Sequence, residues 1–146
     1  MSIVLDAGPH SDTLLLAHVI WATSDRKATL SHEFDGWFAY FAADTCRRIE
    51  CDLLAVGNAS DHVHVVARLS PSVALADMVR RLKGGSSHAW NAHPHARPLR
   101  WQTGYWARSI EQEGLSPLTA YVRGQRARHA SAMTQAAWEQ HEATEV

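Results

Sequence analysis

The chain has 146 residues, 46% of them hydrophobic and 20% charged, with a formal net charge of −1 at pH 7. That is one compact domain with enough apolar material for a core. No apolar run reaches membrane-spanning length, the longest being LLLAHVIWA with His18 inside it, and the near-neutral charge argues at first sight against a nucleic-acid partner.

Residues 1–12 read as a loose polar tail; MSIVLDAGPHSD has no basic stretch followed by an apolar one, so no secretory signal is expected. Leu14 to Thr23 predicts a first strand, apolar on both faces, and SDRKATLSH a loop carrying Arg26 and Lys27. From about Glu33 to Glu50 the stripe Phe34, Trp37, Phe38, Phe41, Thr45 and Ile49 predicts a helix. Cys46 and Cys51 suggest neither a disulfide framework nor a zinc ribbon and suit a reducing, cytoplasmic setting.

CDLLAVGNAS and DHVHVVARLS read as two strands of an antiparallel hairpin around Gly57 to Ser60, with Pro71 closing the second. A helix follows from about Val73, which Gly84 and Gly85 either end or bend. NAHPHARPLR is a loop, GYWARSIE a short strand and GLSP a turn. SPLTAYVRGQRARHASAMTQAAWEQ is a last helix with Ser116 as N-cap and Pro117 in its first position. The order implies an α+β, ferredoxin-like fold: a four-stranded antiparallel sheet with two helices on one face, plus a C-terminal helix. The domain spans 13–135 and an acidic tail 136–146.

Charge is unevenly spread. Arg80 to Arg128 holds nine basic residues against Glu111 and Glu113, a net +7, which can build a basic face on a neutral protein.

In DHVHVVARLS, strand alternation puts Val63, Val65, Ala67 and Leu69 on one face and His62, His64, Val66 and Arg68 on the other. Two imidazoles side by side can share a divalent ion, with Asp61 as a partner to one of them. A single histidine on a sheet is an ordinary hydrogen-bonded residue; the pair favours a metal. The last helix offers Gln125 as an oxygen ligand and, one turn before it, Tyr121, with Arg128 and His129 a turn beyond. A tyrosine beside a cation can attack a phosphodiester, although spacing alone favours a packed ring with a wet hydroxyl.

DHVHVV, RRLKGGSS, WQTGYWARSI and AYVRGQ, in this order, resemble the single-tyrosine HUH transposases, the small insertion-sequence and REP-associated tyrosine enzymes. HUH stands for histidine, hydrophobic residue, histidine, here His62-Val63-His64. The resemblance spans roughly residues 14–130. It implies cleavage and rejoining of single-stranded DNA beside hairpins, with Tyr121 joined to a 5′-phosphate. It implies Mg²⁺ or Mn²⁺ on His62, His64 and Gln125, and a homodimer able to share active sites, the GLSP turn then acting as hinge. Arg26, Lys27, Arg80, Arg81, Lys83, Arg108, Arg123 and Arg128 would neutralise phosphates, while Trp101, Tyr105 and Trp106 would stack bases. Lys83 carries the most weight because its block matches the family's. Two alternatives stay open: a domesticated, non-catalytic hairpin-binding protein, and an unrelated metallohydrolase using water.

Overall fold

The computed structural model describes residues 12–94, 96–130 and 134–139. Four strands, β1 (Leu15–Ala22), β2 (Asp52–Asn58), β3 (His62–Leu69) and β4 (Trp106–Ser109), form one sheet in the order β2-β3-β1-β4 with every pairing antiparallel. Helices α1 (His32–Arg48) and α2 (Leu75–Asn91) cover one face; α3 (Leu115–Arg123) and α4 (Gln125–Ala130) lie on the other. The expected ferredoxin-like arrangement is the one observed. The extreme parts of the two expected tails, 1–11 and 140–146, lie outside the described residues.

The alternation of β3 sorts the core as its sequence implies. Val63, Val65 and Ala67 join Phe34, Phe38, Met78 and Leu82 under α1 and α2. Val66 turns the other way, into a smaller cluster with Leu16, Leu118, Tyr121 and Val122. Ser31 caps α1, its Oγ accepting from the Phe34 amide at 3.1 Å.

Three local details differ from the sequence reading. Helix α2 continues through Gly84 and Gly85 and does not end there. Gly85 is there for room: a Cβ would meet the Phe41 ring at 2.8 Å, so the glycine lets α1 and α2 approach. The last helix starts at Leu115 after a 3₁₀ turn, Gln112–Gly114, so Ser116 lies inside it and does not cap it. It also breaks at Gly124, which separates α3 from α4.

Two contacts hold α3 and α4 on their own sheet. A Cβ on Gly57 would stand 1.6 Å from the Val122 carbonyl oxygen, so β2 and the end of α3 meet backbone to backbone. Arg126 reaches Asp35 of α1 with two bonds, 2.7 Å from Nε and 2.8 Å from Nη2, and Asn58 donates to the same carboxylate at 2.9 Å. Gly57→Ala is expected to cost about 3 kcal/mol or more, because a backbone cannot give way as a side-chain tip can. Thermal or urea unfolding checks this; a loss below about 1 kcal/mol would mean that the approach is loose.

Candidate metal centre and tyrosine site

β3 places His62 and His64 side by side on the face under α3, both buried, with ring centroids 5.1 Å apart. Each ring is held from behind through Nδ1. For His62 the partner is the preceding residue: Asp61 Oδ1 lies 2.7 Å from Nδ1, and Asp61 Oδ2 accepts from Arg26 Nε at 3.2 Å. Arg26 reaches it from a loop in which Asp25 and Arg26 both adopt left-handed backbone, at φ 56° and 53°. For His64 the partner is His18 of β1, whose Nε2 lies 2.9 Å from His64 Nδ1.

Both Nε2 atoms therefore point at one place, and a carboxylate stands in it. Glu139 Oε2 lies 3.2 Å from His62 Nε2 and 3.1 Å from His64 Nε2. Its Oε1 accepts from Tyr121 Oη at 2.5 Å and Gln125 Nε2 at 2.6 Å, and lies 3.1 Å from His129 Nε2. One atom each from His62, His64, His129 and Glu139 lie within 4.8 Å of one another, a group able to hold a metal ion. Gln125 turns its Nε2 to this place, 2.6 Å from Glu139 Oε1 and 3.3 Å from His62 Nε2, while its side-chain oxygen is buried with no hydrogen-bond partner. Nitrogen and carboxylate donors of this mixture fit a divalent ion.

Tyr121 sits in α3 with its ring buried, 6.3 Å from the His64 ring. The Arg128 guanidinium lies over that ring at 4.7 Å, and Trp138 packs on it with centroids 5.0 Å apart. The Gln135 amide donates to Oη at 2.9 Å. The segment 134–139 thus covers the tyrosine.

These contacts order the charges. Burial would make His62 harder to protonate, but the hydrogen bonds to Asp61 and Glu139 outweigh it and hold its pKa above the usual histidine value. His64 has no such carboxylate behind it, and burial leaves it at about 4; burial, with the neighbouring His64, takes His18 to about 3. Burial works against the Glu139 charge too, yet its bonds to His62, His64 and Tyr121 keep it well below the carboxylate range. Burial and the Glu139 acceptor push the Tyr121 phenol to about 12. In this arrangement the phenol keeps its proton. Glu139→Gln is expected to bring the Tyr121 pKa down part of the way towards 10, burial alone remaining. The readout is the part of the phenolate absorbance titration that Tyr121→Phe removes; an unchanged midpoint would show that Glu139 does not hold the proton.

Of the residues singled out from sequence, the fold brings together His62, His64, Tyr121, Gln125 and Arg128, with Arg26 one contact behind through Asp61. Arg80, Arg81 and Lys83 lie on α2, on the other side of the sheet. Lys83 Nζ donates to the carbonyls of Gln102 and Gly104 at 2.8 and 2.7 Å and so ties the 102–104 turn to α2. Arg80 pairs with Asp77; Arg81 and Lys27 are exposed. Arg123 donates to the Leu54 carbonyl at 3.1 Å, and Arg108 lies over the Trp106 ring at 4.7 Å. Trp101 packs edge-on to Trp21 and Phe34 and donates to Ser86 Oγ, whereas Tyr105 is exposed. Sequence reasoning missed His18, noted only as an interruption of an apolar run, and Glu139, set apart as tail.

Among the described residues no helix is long and apolar enough to cross a membrane. The model of the "Transposase IS200 like" family matches residues 11–125. No curated protein matches the chain. Among solved structures, a candidate transposase of Deinococcus radiodurans R1 is 23% identical, with 84% of this chain and 98% of that one aligned and a TM-score of 0.64. A REP-associated tyrosine transposase bound to a REP hairpin is 13% identical, with 86% and 74% aligned and a TM-score of 0.62. At these identities the two structures speak for the fold alone; the family match, running from before β1 to Gln125, goes further, and by it the chain belongs to the IS200-like transposase family.

Proposed function

We propose that this transposase cleaves and rejoins single-stranded DNA beside hairpins through a 5′-phosphotyrosine on Tyr121, with Mg²⁺ or Mn²⁺ as cofactor. The observation that carries the reading is the convergence of Tyr121 Oη, Gln125 and both Nε2 atoms of the histidine pair on one carboxylate, Glu139. His62, His64 and Gln125 would hold the ion, joined by Glu139 as an anionic oxygen ligand until DNA enters. The ion, when bound, supplies Lewis-acid polarisation of the scissile phosphate.

Tyr121 Oη gives up its proton and attacks phosphorus; the bond to the 3′ oxygen breaks and that oxygen takes up a proton, leaving a free 3′-hydroxyl and a 5′-phosphate ester on the tyrosine. One phosphate ester replaces another, so the reverse attack by a 3′-hydroxyl rejoins strands without an external energy source. Arg128, over the Tyr121 ring, puts positive charge on the face of the ring and so favours the phenolate that forms. A phosphate reaching Oη takes the place of the Gln135 and Glu139 contacts, so DNA entry requires segment 134–139 to shift. Lys27, Arg81 and Tyr105, all exposed, are the clearest candidates for phosphate and base contacts beyond the centre.

The tyrosine acts on the centre of its own chain in this reading, which needs no second copy to complete the site; the close approach at Gly57 and the Arg126–Asp35 pair support it. The test is a labelled single-stranded hairpin with Mn²⁺, read for a covalent adduct on a denaturing gel. No adduct with any divalent ion overturns the reading. Salt-sensitive hairpin binding without an adduct would instead support a non-catalytic hairpin-binding protein, which the covering of Tyr121 by residues 134–139 favours.

A further inference from the structure

His18 is the buried polar group that this chemistry leaves unexplained. It occupies a strand position where an apolar side chain would pack without cost, at 1% exposure. Its ring lies near-parallel to that of His64, centroids 5.1 Å apart and planes at 22°, while Trp106 closes it off edge-on at 5.1 Å. The strand register explains the reach: His18 stands opposite Val66, one same-face position along from His64.

Two ring nitrogens 2.9 Å apart share one proton between them. Where that proton sits follows from the far side of His64. There Nε2 faces the Glu139 carboxylate at 3.1 Å, and a carboxylate only accepts, so Nε2 carries hydrogen. Nδ1 is then the bare nitrogen, and the shared proton belongs to His18 Nε2. A cation on His64 Nε2 needs the opposite: a bare Nε2, hydrogen on Nδ1, and a partner that accepts. Imidazole is able to do both. The His64 Nε2 proton leaves to water, the shared proton moves from His18 Nε2 to His64 Nδ1, and His18 Nδ1 takes one from water. Each ring holds one proton before and after. Asp61, behind His62, can only accept, so the two ligands differ in this respect.

We propose that His18 is a positioning residue for His64, an imidazole partner that either donates or accepts, so that His64 can turn a protonated nitrogen to Glu139 or a bare one to a metal while its Nδ1 stays bonded to His18. The inference rests on the metal reading above, and the experiment separates the two. Mn²⁺ binding is measured by electron paramagnetic resonance on the full chain without DNA, for wild type, His18→Leu and His18→Gln. Loss of the partner is expected to weaken binding about 10–100-fold in His18→Leu. His18→Gln, whose amide presents either a donor or an acceptor, is expected to restore most of the loss. Nitrogen NMR of ¹⁵N-histidine-labelled wild type gives the readout that a merely structural residue would not move. Added Mg²⁺ is expected to switch His64 from Nε2–H to Nδ1–H and His18 from Nε2–H to Nδ1–H together. A folded His18→Leu that binds Mn²⁺ as wild type does, or a His18 that keeps its tautomer on Mg²⁺ addition, overturns the inference. If His18→Leu does not fold, the tautomer measurement on wild type decides alone. Wild type that binds neither ion overturns the metal reading and the inference with it.

Discussion

Tyr121→Phe is expected to form no covalent adduct with a single-stranded hairpin in Mn²⁺ while still binding it. The phenol oxygen is the attacking atom in the proposed reaction, and its removal leaves nothing to carry the 5′-phosphate; a loss of about a thousandfold or more is expected, as for other enzymes stripped of a nucleophile. The fold should survive the change. Phe fills the same buried volume and keeps the packing of Arg128 and Trp138 on the ring. What disappears is the bond to Glu139 and the one from the Gln135 amide, each worth roughly 1 kcal/mol net. Hairpin affinity by fluorescence anisotropy and adduct yield on a denaturing gel are the paired measurements. An adduct that persists in the variant moves the chemistry to another side chain. Cleavage that continues at the wild-type rate with no adduct in either protein would identify water as the attacking group, as in a metallohydrolase.

The second large effect concerns which chain supplies the tyrosine. His62→Ala spoils the proposed metal centre and keeps Tyr121; Tyr121→Phe does the reverse. If α3 serves its own sheet, a mixture of the two variants stays inactive. If α3 crosses to a second copy, one of the two composite sites in each mixed pair is whole, and adduct formation returns to a substantial fraction of wild type. The inactive outcome is expected, for a geometric reason. Gly57 lets the Val122 carbonyl come closer to β2 than any side chain would allow, and Arg126 spends a bidentate contact on Asp35 of the same chain. Freeing the helix would break both. Recovery of activity in the mixture would show that the enzyme works with exchanged helices.

The pattern in β3 made much of this visible in advance. With period-two alternation the apolar residues of DHVHVVARLS can face only one layer, so His62 and His64 have to face the other, and Asp61 follows as the neighbour of His62. Tyr121 and Gln125 were legible as a helical pair, and they stay on one side although the helix breaks at Gly124 between them. The passage of α2 through two glycines was not legible, because the reason lies in the Phe41 ring of another helix. His18 did leave a signal: a histidine inside an otherwise apolar strand asks for a buried partner, and the other histidines were the available ones. Glu139 left none. It is one of three glutamates after residue 136, and only the path of the chain beyond α4 selects it. Lys83 shows the converse. Its block matches the family pattern, but the ammonium is bonded to two carbonyls of the turn it anchors.

The centre is assembled from parts far apart along the chain: His18 and His64 are separated by 46 residues, His62 and Gln125 by 63, and His64 and Glu139 by 75. Each contact of such long range closes a long loop, whose entropy is lost before the contact can offset it. In the proposed reaction, a growing or partly unfolded chain therefore carries the tyrosine without the surroundings that would let it cut. An ion that binds the finished centre and not its separated pieces also stabilises the whole domain, so its occupancy reports that folding is complete. For a protein that breaks DNA, this couples the ability to cut to the integrity of the fold.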